Sequence, residues 1–189
     1  MKRIIIFASG SGSNAENIIK YFKNNNLAKV THVLSNNISA KVLDRANNHN
    51  VTALHFDRES FYKSNDILHV LKDAEPDLIV LAGFLWKFPE NIINEFPNKI
   101  INIHPALLPN YGGRGMYGMN VHKAVVENKE HFSGITIHYV NENYDEGTVI
   151  FQEKTELNTK DTPEDLAAKI HKLEHANFPK VIEKLLLDN

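Results

Sequence analysis

The sequence of 189 residues contains no cysteine. This absence excludes a disulfide framework, catalysis by a thiolate, and zinc or iron–sulfur sites held by cysteine. A compact domain of this length buries enough surface to fold without covalent cross-links. The lack of cysteine also fits a reducing compartment, so we expect a cytoplasmic protein.

The sequence also lacks a charge excess and a long hydrophobic run. Its 21 basic and 23 acidic residues give a net charge of -2, which argues against the positive surface that nucleic-acid binding requires. The apolar run from Ile4 to Ala8 is too short for a signal sequence or a membrane span. No linker or repeat divides the chain. We therefore expect one domain over residues 1–189 that acts on small molecules, with no nucleic-acid or membrane partner.

Short apolar runs alternate with stretches of helical periodicity along the sequence. This alternation predicts the α/β class, with an open, mostly parallel twisted sheet of about seven strands and helices on both faces. The predicted strands are residues 2–8, 29–34, 53–56, 78–82, 99–104, 134–140 and a segment after Gly147. One long helix is predicted through Phe61, Ile67, Leu68 and Leu71, and Thr162 is predicted to cap the last helix.

A glycine pattern lies between the first predicted strand and the first predicted helix. Gly10, Gly12 and Ala15 match G-x-G-x-x-G/A in the context that this pattern needs. Glycines let the backbone approach a phosphate, whose negative charge the helix N-terminus stabilises. The alternative is a tight turn between strand and helix with no ligand.

The residues around this pattern restrict its ligand. The second predicted strand ends in Ser35, Asn36 and Asn37, without the acidic residue that would hold the ribose of a dinucleotide. The segment SGSGSN also lacks the lysine and hydroxyl pair of a P-loop. NAD and ATP are therefore not expected. The pattern indicates a site for a phosphate monoester or ribose phosphate, with further donors from Ser11, Ser13 and Asn14.

Two polar residues end the fifth predicted strand, in the segment NIHPALLP. Asn102 and His104 are two positions apart, so their side chains point to the same side of the strand. An amide and an imidazole side by side suit acyl transfer, because both hydrogen-bond an oxyanion and the imidazole moves protons near neutral pH. The alternative is a buried histidine with a purely structural role. A nearby carboxylate would support the charged ring, and the loop NENYDEGTV offers Asp145, Glu142 and Glu146.

Five segments carry a family resemblance, namely ASGSGSN, VLAGFLWKFP, NIHPALLP, GITIHYVNENYDEGTVI and KLEHANFP. In this order they resemble the phosphoribosylglycinamide formyltransferase family, and the resemblance covers nearly the whole chain. It implies a Rossmann-like formyltransferase fold and a monomer or homodimer. The implied reaction moves a formyl group from the co-substrate 10-formyltetrahydrofolate to the glycinamide amine of N1-(5-phospho-D-ribosyl)glycinamide, without a metal, in purine biosynthesis.

The resemblance also implies roles for single residues. Asn102 and His104 would stabilise the oxyanion, with His104 as general acid, and Asp145 would keep that histidine charged. The ribose phosphate and glycinamide would contact Gly12, Ser13, Asn14 and Glu174. The folate would contact Arg58, Leu85, Trp86, Lys87, Phe88, Asn102, Asn141, Glu142, Asn143, Tyr144 and Asp145.

The loop at residues 111–120 departs from the family pattern, because it is longer and rich in glycine. We expect it to act as a lid, in which Arg114 could reach a phosphate or a carboxylate; an ordinary surface insertion is the alternative. Other interpretations of the chain are formyl transfer to an aminoacyl-tRNA or an amino sugar, hydrolysis of formylfolate, and a ribose-phosphate sensor without activity. Residues 171–175, HKLEH, also match the inverted zinc-peptidase pattern H-x-x-E-H.

Overall fold

The computed structural model describes residues 1–188, and these residues form one open sheet of seven strands. The strands are β1 (Lys2–Phe7), β2 (Ala28–Ser35), β3 (Thr52–His55), β4 (Leu78–Leu81), β5 (Ile100–His104), β6 (Phe132–Tyr139) and β7 (Val149–Glu156). Their order is β3-β2-β1-β4-β5-β6-β7. The first five run parallel, whereas β6 and β7 pair antiparallel. The prediction of a mostly parallel, seven-stranded sheet is confirmed.

Helices cover both faces of the sheet, as predicted. They are α1 (Ser13–Lys23), α2 (Lys41–Asn48), α3 (Arg58–Tyr62), α4 (Asp66–Ala74), α5 (Glu90–Glu95), α6 (Met119–Glu127) and α7 (Pro163–Asp188). The alternating side chains of β1 divide the core: Ile4 and Ile6 pack with α1, α2, α6 and α7, whereas Ile5 and Phe7 pack with α3, α4 and α5. Each of these four side chains is fully buried, which contributes about 1.5–3 kcal/mol apiece to stability.

The prediction of one long helix through Phe61 and Leu71 is wrong, because the chain forms the two helices α3 and α4 there. Asn65 lies between them in the left-handed conformation, with φ of 61°, which ends the helical path. Ser64 donates a hydrogen bond to Asp66 at 2.6 Å across the break. Local polar contacts of this kind compete with the helix and override the apolar spacing.

The last helix begins as predicted, with Thr162 as its cap. The Thr162 hydroxyl accepts a hydrogen bond from the Asp165 backbone at 3.1 Å, and the Asp165 carboxylate accepts one from the Thr162 backbone at 2.9 Å. This reciprocal arrangement satisfies two N–H groups at the helix start. α7 then crosses the sheet face and packs against α1 and α6, which brings residue Glu174 to the start of α1.

The strand order creates a crevice at the carboxyl ends of the central strands. β1 pairs with β2 on one side and β4 on the other, so the chain leaves the carboxyl ends of β1 and β4 in opposite directions. Ligands of open α/β sheets bind at such a switch point. Among residues 1–188, no helix is both long and apolar enough to cross a membrane.

Candidate active site

A cavity of about 740 Å³ lies at this switch point. The loops that follow β1, β4 and β5 form its floor, α7 forms one wall, and residues 113–118 lie over it. This volume falls within the range of sites for cofactors and small molecules. The glycine loop and the pair of Asn102 and His104, which are distant in sequence, therefore open into the same space.

The glycine loop is held against α2 by three consecutive residues. Gly10 accepts a hydrogen bond from the Val42 backbone at 3.2 Å, and Ser11 accepts one from Nε of Arg45 at 2.8 Å. Gly12 has φ of 74°, and a Cβ atom there would lie 2.3 Å from Cγ2 of Val42. Only glycine fits this position, so α2 fixes the shape of the loop.

The start of α1 provides donors for an anion. Its N-cap is Gly12, and no side chain caps it. The first N–H groups of a helix have no partners within the helix, and they carry the positive end of its dipole. The side chains of the first turn are tied to α7: Ser13 Oγ lies 3.0 Å from Nε2 of His171, and Asn14 donates to Glu174 at 2.8 Å. The structure thus brings Gly12, Ser13, Asn14 and Glu174 together, as expected.

Glu174 is half-buried beside the start of α1. Burial raises the pKa of its carboxyl, and the hydrogen bond from Asn14 opposes this effect only in part. Oδ1 of Asn14 is buried without a partner among the described residues. A buried polar atom without a protein partner is costly, so Oδ1 of Asn14 is a candidate contact for a bound molecule.

His171 also lines the cavity, and sequence analysis assigned it no role in binding the substrates. Its ring lies against that of His175, with centroids 3.9 Å apart. In the sequence, the signal for this residue was its position three residues before Glu174, which places both on the same side of a helix.

The zinc-peptidase pattern at residues 171–175 contains the same Glu174, whose carboxylate bonds to Asn14 of α1. Within residues 1–188, no three His, Cys, Asp or Glu side chains converge as a metal site would require.

Asn102, His104 and Asp145 form a polar cluster on one side of the cavity. Nδ1 of His104 lies 3.5 Å from Oδ2 of Asp145, and Nδ2 of Asn102 lies 3.5 Å from Oδ1. Asp145 has φ of 57°, and its Oδ2 also accepts a hydrogen bond from the Gly113 backbone at 2.9 Å. Of the three acidic residues in this loop, Asp145 is therefore the one that faces the histidine; Glu142 and Glu146 are exposed.

Burial and charge act in opposite directions within this cluster. Burial lowers the pKa of His104 below its ordinary value, although the Asp145 carboxylate and the Tyr111 carbonyl both act to raise it. Burial would raise the pKa of Asp145, but the nearby rings of His138 and His104 and the hydrogen bond from the Gly113 backbone together outweigh it and lower that pKa. In the ligand-free protein the effect of burial on the pKa of His104 is larger than the opposing effect of Asp145, and the role of Asp145 in the reaction stays a prediction.

His138 belongs to the same cluster, and sequence analysis did not identify it. It lies on β6 directly opposite Asn102 on β5 and is almost fully buried. Its Nε2 atom is 3.1 Å from Nδ2 of Asn102 and 3.6 Å from Oδ1 of Asp145. The sequence showed only a histidine in an alternating strand. The register of β5 against β6, which depends on distant parts of the chain, makes it a neighbour of Asn102.

Most of the expected folate contacts surround a second, smaller cavity of about 70 Å³, which shares Asn102 and Asp145 with the larger one. Its lining includes Trp86, Lys87, Phe88, Asn141, Asn143 and Tyr144. Leu85 lines the larger cavity instead, and Glu142 lies outside the lining of both. Arg58 is placed over the ring of Trp86, with Cζ 4.8 Å from the ring centroid. The folate roles of these residues stay predictions.

The loop at residues 111–120 closes over the histidine and its acid. The Tyr111 carbonyl lies 2.7 Å from Nε2 of His104, and the Tyr111 hydroxyl donates to Glu130 at 2.7 Å. Gly113, Gly115 and Gly118 have φ of 91°, 88° and 52°, a backbone path that glycine permits. Arg114 lines the larger cavity. This position is the one that a lid would occupy, and its movement stays a prediction.

Comparison with known proteins places this geometry in a family. The model of the formyl transferase family matches residues 2–182. Phosphoribosylglycinamide formyltransferase of Bacillus subtilis is 36% identical, and the alignment covers 98% of this chain and 95% of that protein. The chloroplastic enzyme of the same name from Vigna unguiculata is 37% identical over 97% of this chain. The chain spans 61% of the length of that plant relative.

A solved structure agrees with the sequence matches. The crystal structure of phosphoribosylglycinamide formyltransferase from Anaplasma phagocytophilum superposes with a TM-score of 0.90 at 32% identity, covering 98% of this chain and 87% of that one. The resemblance that the sequence motifs indicated is thus confirmed along the chain. The chain belongs to the formyl transferase family, among the phosphoribosylglycinamide formyltransferases.

Proposed function

We propose that the protein transfers the formyl group of 10-formyltetrahydrofolate to the amine of N1-(5-phospho-D-ribosyl)glycinamide in purine biosynthesis. One observation carries the proposal: the glycine loop with the start of α1, and the cluster of Asn102, His104 and Asp145, open into one cavity. A ribose phosphate bound at the start of α1 would direct its glycinamide arm toward the cluster. The smaller cavity shares Asn102 and Asp145 with the larger one, and the folate would bind across the opening that these two residues line in common.

The chemistry requires the amine nitrogen to attack the formyl carbon, which forms a tetrahedral oxyanion. The bond between that carbon and N10 of the folate then breaks, and one proton passes overall from the attacking nitrogen to N10, so the transfer consumes and releases no net proton. Asn102 and His104 would stabilise the oxyanion, and His104 would supply the proton to N10 from Nε2. This step requires the loop at residues 111–120 to withdraw the Tyr111 carbonyl from Nε2 when the substrates bind. The negative charge that develops beside the ring would raise the proton affinity of His104 at the step where protonation is needed.

A direct assay tests this proposal. The purified protein should convert both substrates to tetrahydrofolate and the formylated product in equal amounts. His104→Ala should lose most of this activity while keeping its fold. Release of formate without the ribonucleotide would indicate a hydrolase instead, and binding of ribose phosphate without turnover would indicate a sensor.

The remaining parts of the proposal concern the setting of the reaction. The partners are the two small-molecule substrates, and no metal is required. We propose a monomer or homodimer that acts in the cytoplasm. Sedimentation at working concentrations tests the first point, and full activity after dialysis against a chelator tests the absence of a required metal.

A further inference from the structure

We infer that His138 is a positioning residue that fixes the orientation of the Asn102 side-chain amide. The inference rests on the proposed function, because it assigns the amide atoms to the two reacting groups. His138 is 2% exposed, so its ring is held in place by its surroundings. Sequence analysis gave it no role, and the proposed mechanism does not use it.

The backbone determines which nitrogen of His138 carries the proton. Nδ1 lies 2.8 Å from the Tyr139 carbonyl oxygen, which can only accept a hydrogen bond. Nδ1 must therefore be the protonated nitrogen, and in the neutral ring Nε2 is left as an acceptor. The direction of this hydrogen bond follows from the fold of β6 itself.

The tautomer of His138 in turn determines the orientation of Asn102. Nδ2 of Asn102 lies 3.1 Å from Nε2 of His138 and donates to it. The reversed amide would place Oδ1 against both the Nε2 lone pair and the Asp145 carboxylate, which are two acceptors. His138 and Asp145 therefore select the same orientation of the amide.

This orientation leaves two groups of Asn102 for the substrates. Within residues 1–188, Oδ1 of Asn102 has no hydrogen-bond donor, so it is free to accept a hydrogen bond from the attacking amine. The second hydrogen on Nδ2 has only the long 3.5 Å contact with Asp145 and remains for the formyl oxygen. Asn102 thus orients the nucleophile and stabilises the oxyanion at the same time, and His138 keeps it from turning.

Two substitutions of His138 form a matched pair. Glutamine places a hydrogen-bonding group near the position of Nε2, whereas the shorter asparagine reaches only the position of Nδ1. We expect His138→Gln to keep kcat within about 5-fold of the wild type and His138→Asn to lose about 10- to 100-fold, with KM for both substrates nearly unchanged. Equal losses in both variants, or a loss confined to KM, would overturn the inference.

A double-mutant cycle then tests whether His138 acts through Asn102. In the Asn102→Ala background, His138→Asn should change kcat by less than about 2-fold, because the amide to be oriented is gone. Losses that multiply independently would contradict the inference, since His138 would then act through Asp145 or the fold.

A measurement without turnover separates this inference from the proposed function. Nitrogen NMR of the ligand-free wild type should show the neutral ring of His138 with Nδ1 protonated and Nε2 unprotonated. The opposite tautomer overturns the inference even if all the variants are inactive or fail to fold. The expected tautomer together with no formyl transfer would contradict the function and leave the orientation of the amide supported.

Discussion

Nδ1 of His104 and Oδ2 of Asp145 face each other at 3.5 Å, on the inner side of the loop that covers the site. Nε2 of the same ring lies 2.7 Å from the Tyr111 carbonyl, so both nitrogens of His104 face oxygen acceptors. Only the charged ring donates to both, whereas burial favours the neutral ring. The two effects leave His104 ready to take a proton when negative charge develops nearby.

Asp145→Asn should lower the pKa of His104 further, because it removes the carboxylate that raises it. A smaller fraction of the ring is then protonated at pH 7, and we expect kcat to fall by about 100-fold, at the low end of what general acid–base catalysis contributes. NMR titration of His104 in the wild type and the variant measures the shift directly. Glu146→Gln changes the adjacent exposed residue and serves as the control. In this variant His104 should titrate as it does in the wild type.

Asn102→Ala should lower kcat by about 100-fold, corresponding to roughly 3 kcal/mol of lost transition-state stabilisation, with little change in KM. The amide contacts the oxyanion more strongly than the ground-state formyl group, so the loss belongs to the chemical step. Steady-state kinetics with each substrate varied in turn separates the two parameters. Unchanged turnover would contradict the role of Asn102 at the oxyanion.

The sequence predicts those parts of the site that depend on local pattern. The strand ends at Asn102 and His104 and the glycine loop at Gly12 were placed correctly, because alternation, turn residues and helix starts are short-range signals. His138 was missed because its contact with Asn102 depends on pairing between strands that are far apart in sequence. The sequence alone also left the choice among the acidic residues of one loop open, because the contact of Asp145 with His104 depends on how this loop packs against the end of β5.

Glu174→Gln should stabilise the ligand-free protein at neutral pH. Burial raises the pKa of Glu174 in the folded state, so its effect on stability is most favourable below the unfolded pKa and is lost as pH rises through the folded pKa. The neutral glutamine does not have this dependence, and each kcal/mol gained raises Tm by about 2–4 °C in a protein of this size. Thermal unfolding of both proteins from pH 4 to pH 8 tests this: the Tm difference should widen with pH, whereas a constant difference would contradict it.

Gly12→Ala should destabilise the protein by about 2–5 kcal/mol, because it forces a left-handed residue and places a methyl group inside Val42. Gly10→Ala is the matched control, since a Cβ atom at that position meets nothing within 4 Å and its φ is not left-handed. Denaturant unfolding of the two variants compares positions two residues apart in the same loop. Similar losses in both would show that α2 does not fix the loop as described.

Arg45→Ala should weaken binding of the phosphoribosyl substrate while leaving the chemical step intact. Its guanidinium holds the Ser11 carbonyl at 2.8 Å and pairs with Glu16, whose pKa is lowered to about 2 by Lys20, His49 and Arg45. Without that hydrogen bond the loop carbonyl is free to turn toward the phosphate, and we expect KM for the ribonucleotide to rise about 10-fold, as the loss of a charged hydrogen bond implies. Lys20→Ala is the control, because Lys20 also pairs with Glu16, at 2.8 Å, but lies on α1 and has no bond to the loop. A rise in KM for both variants would attribute the effect to the charge on Glu16, and a rise for Arg45→Ala alone would attribute it to the position of the loop.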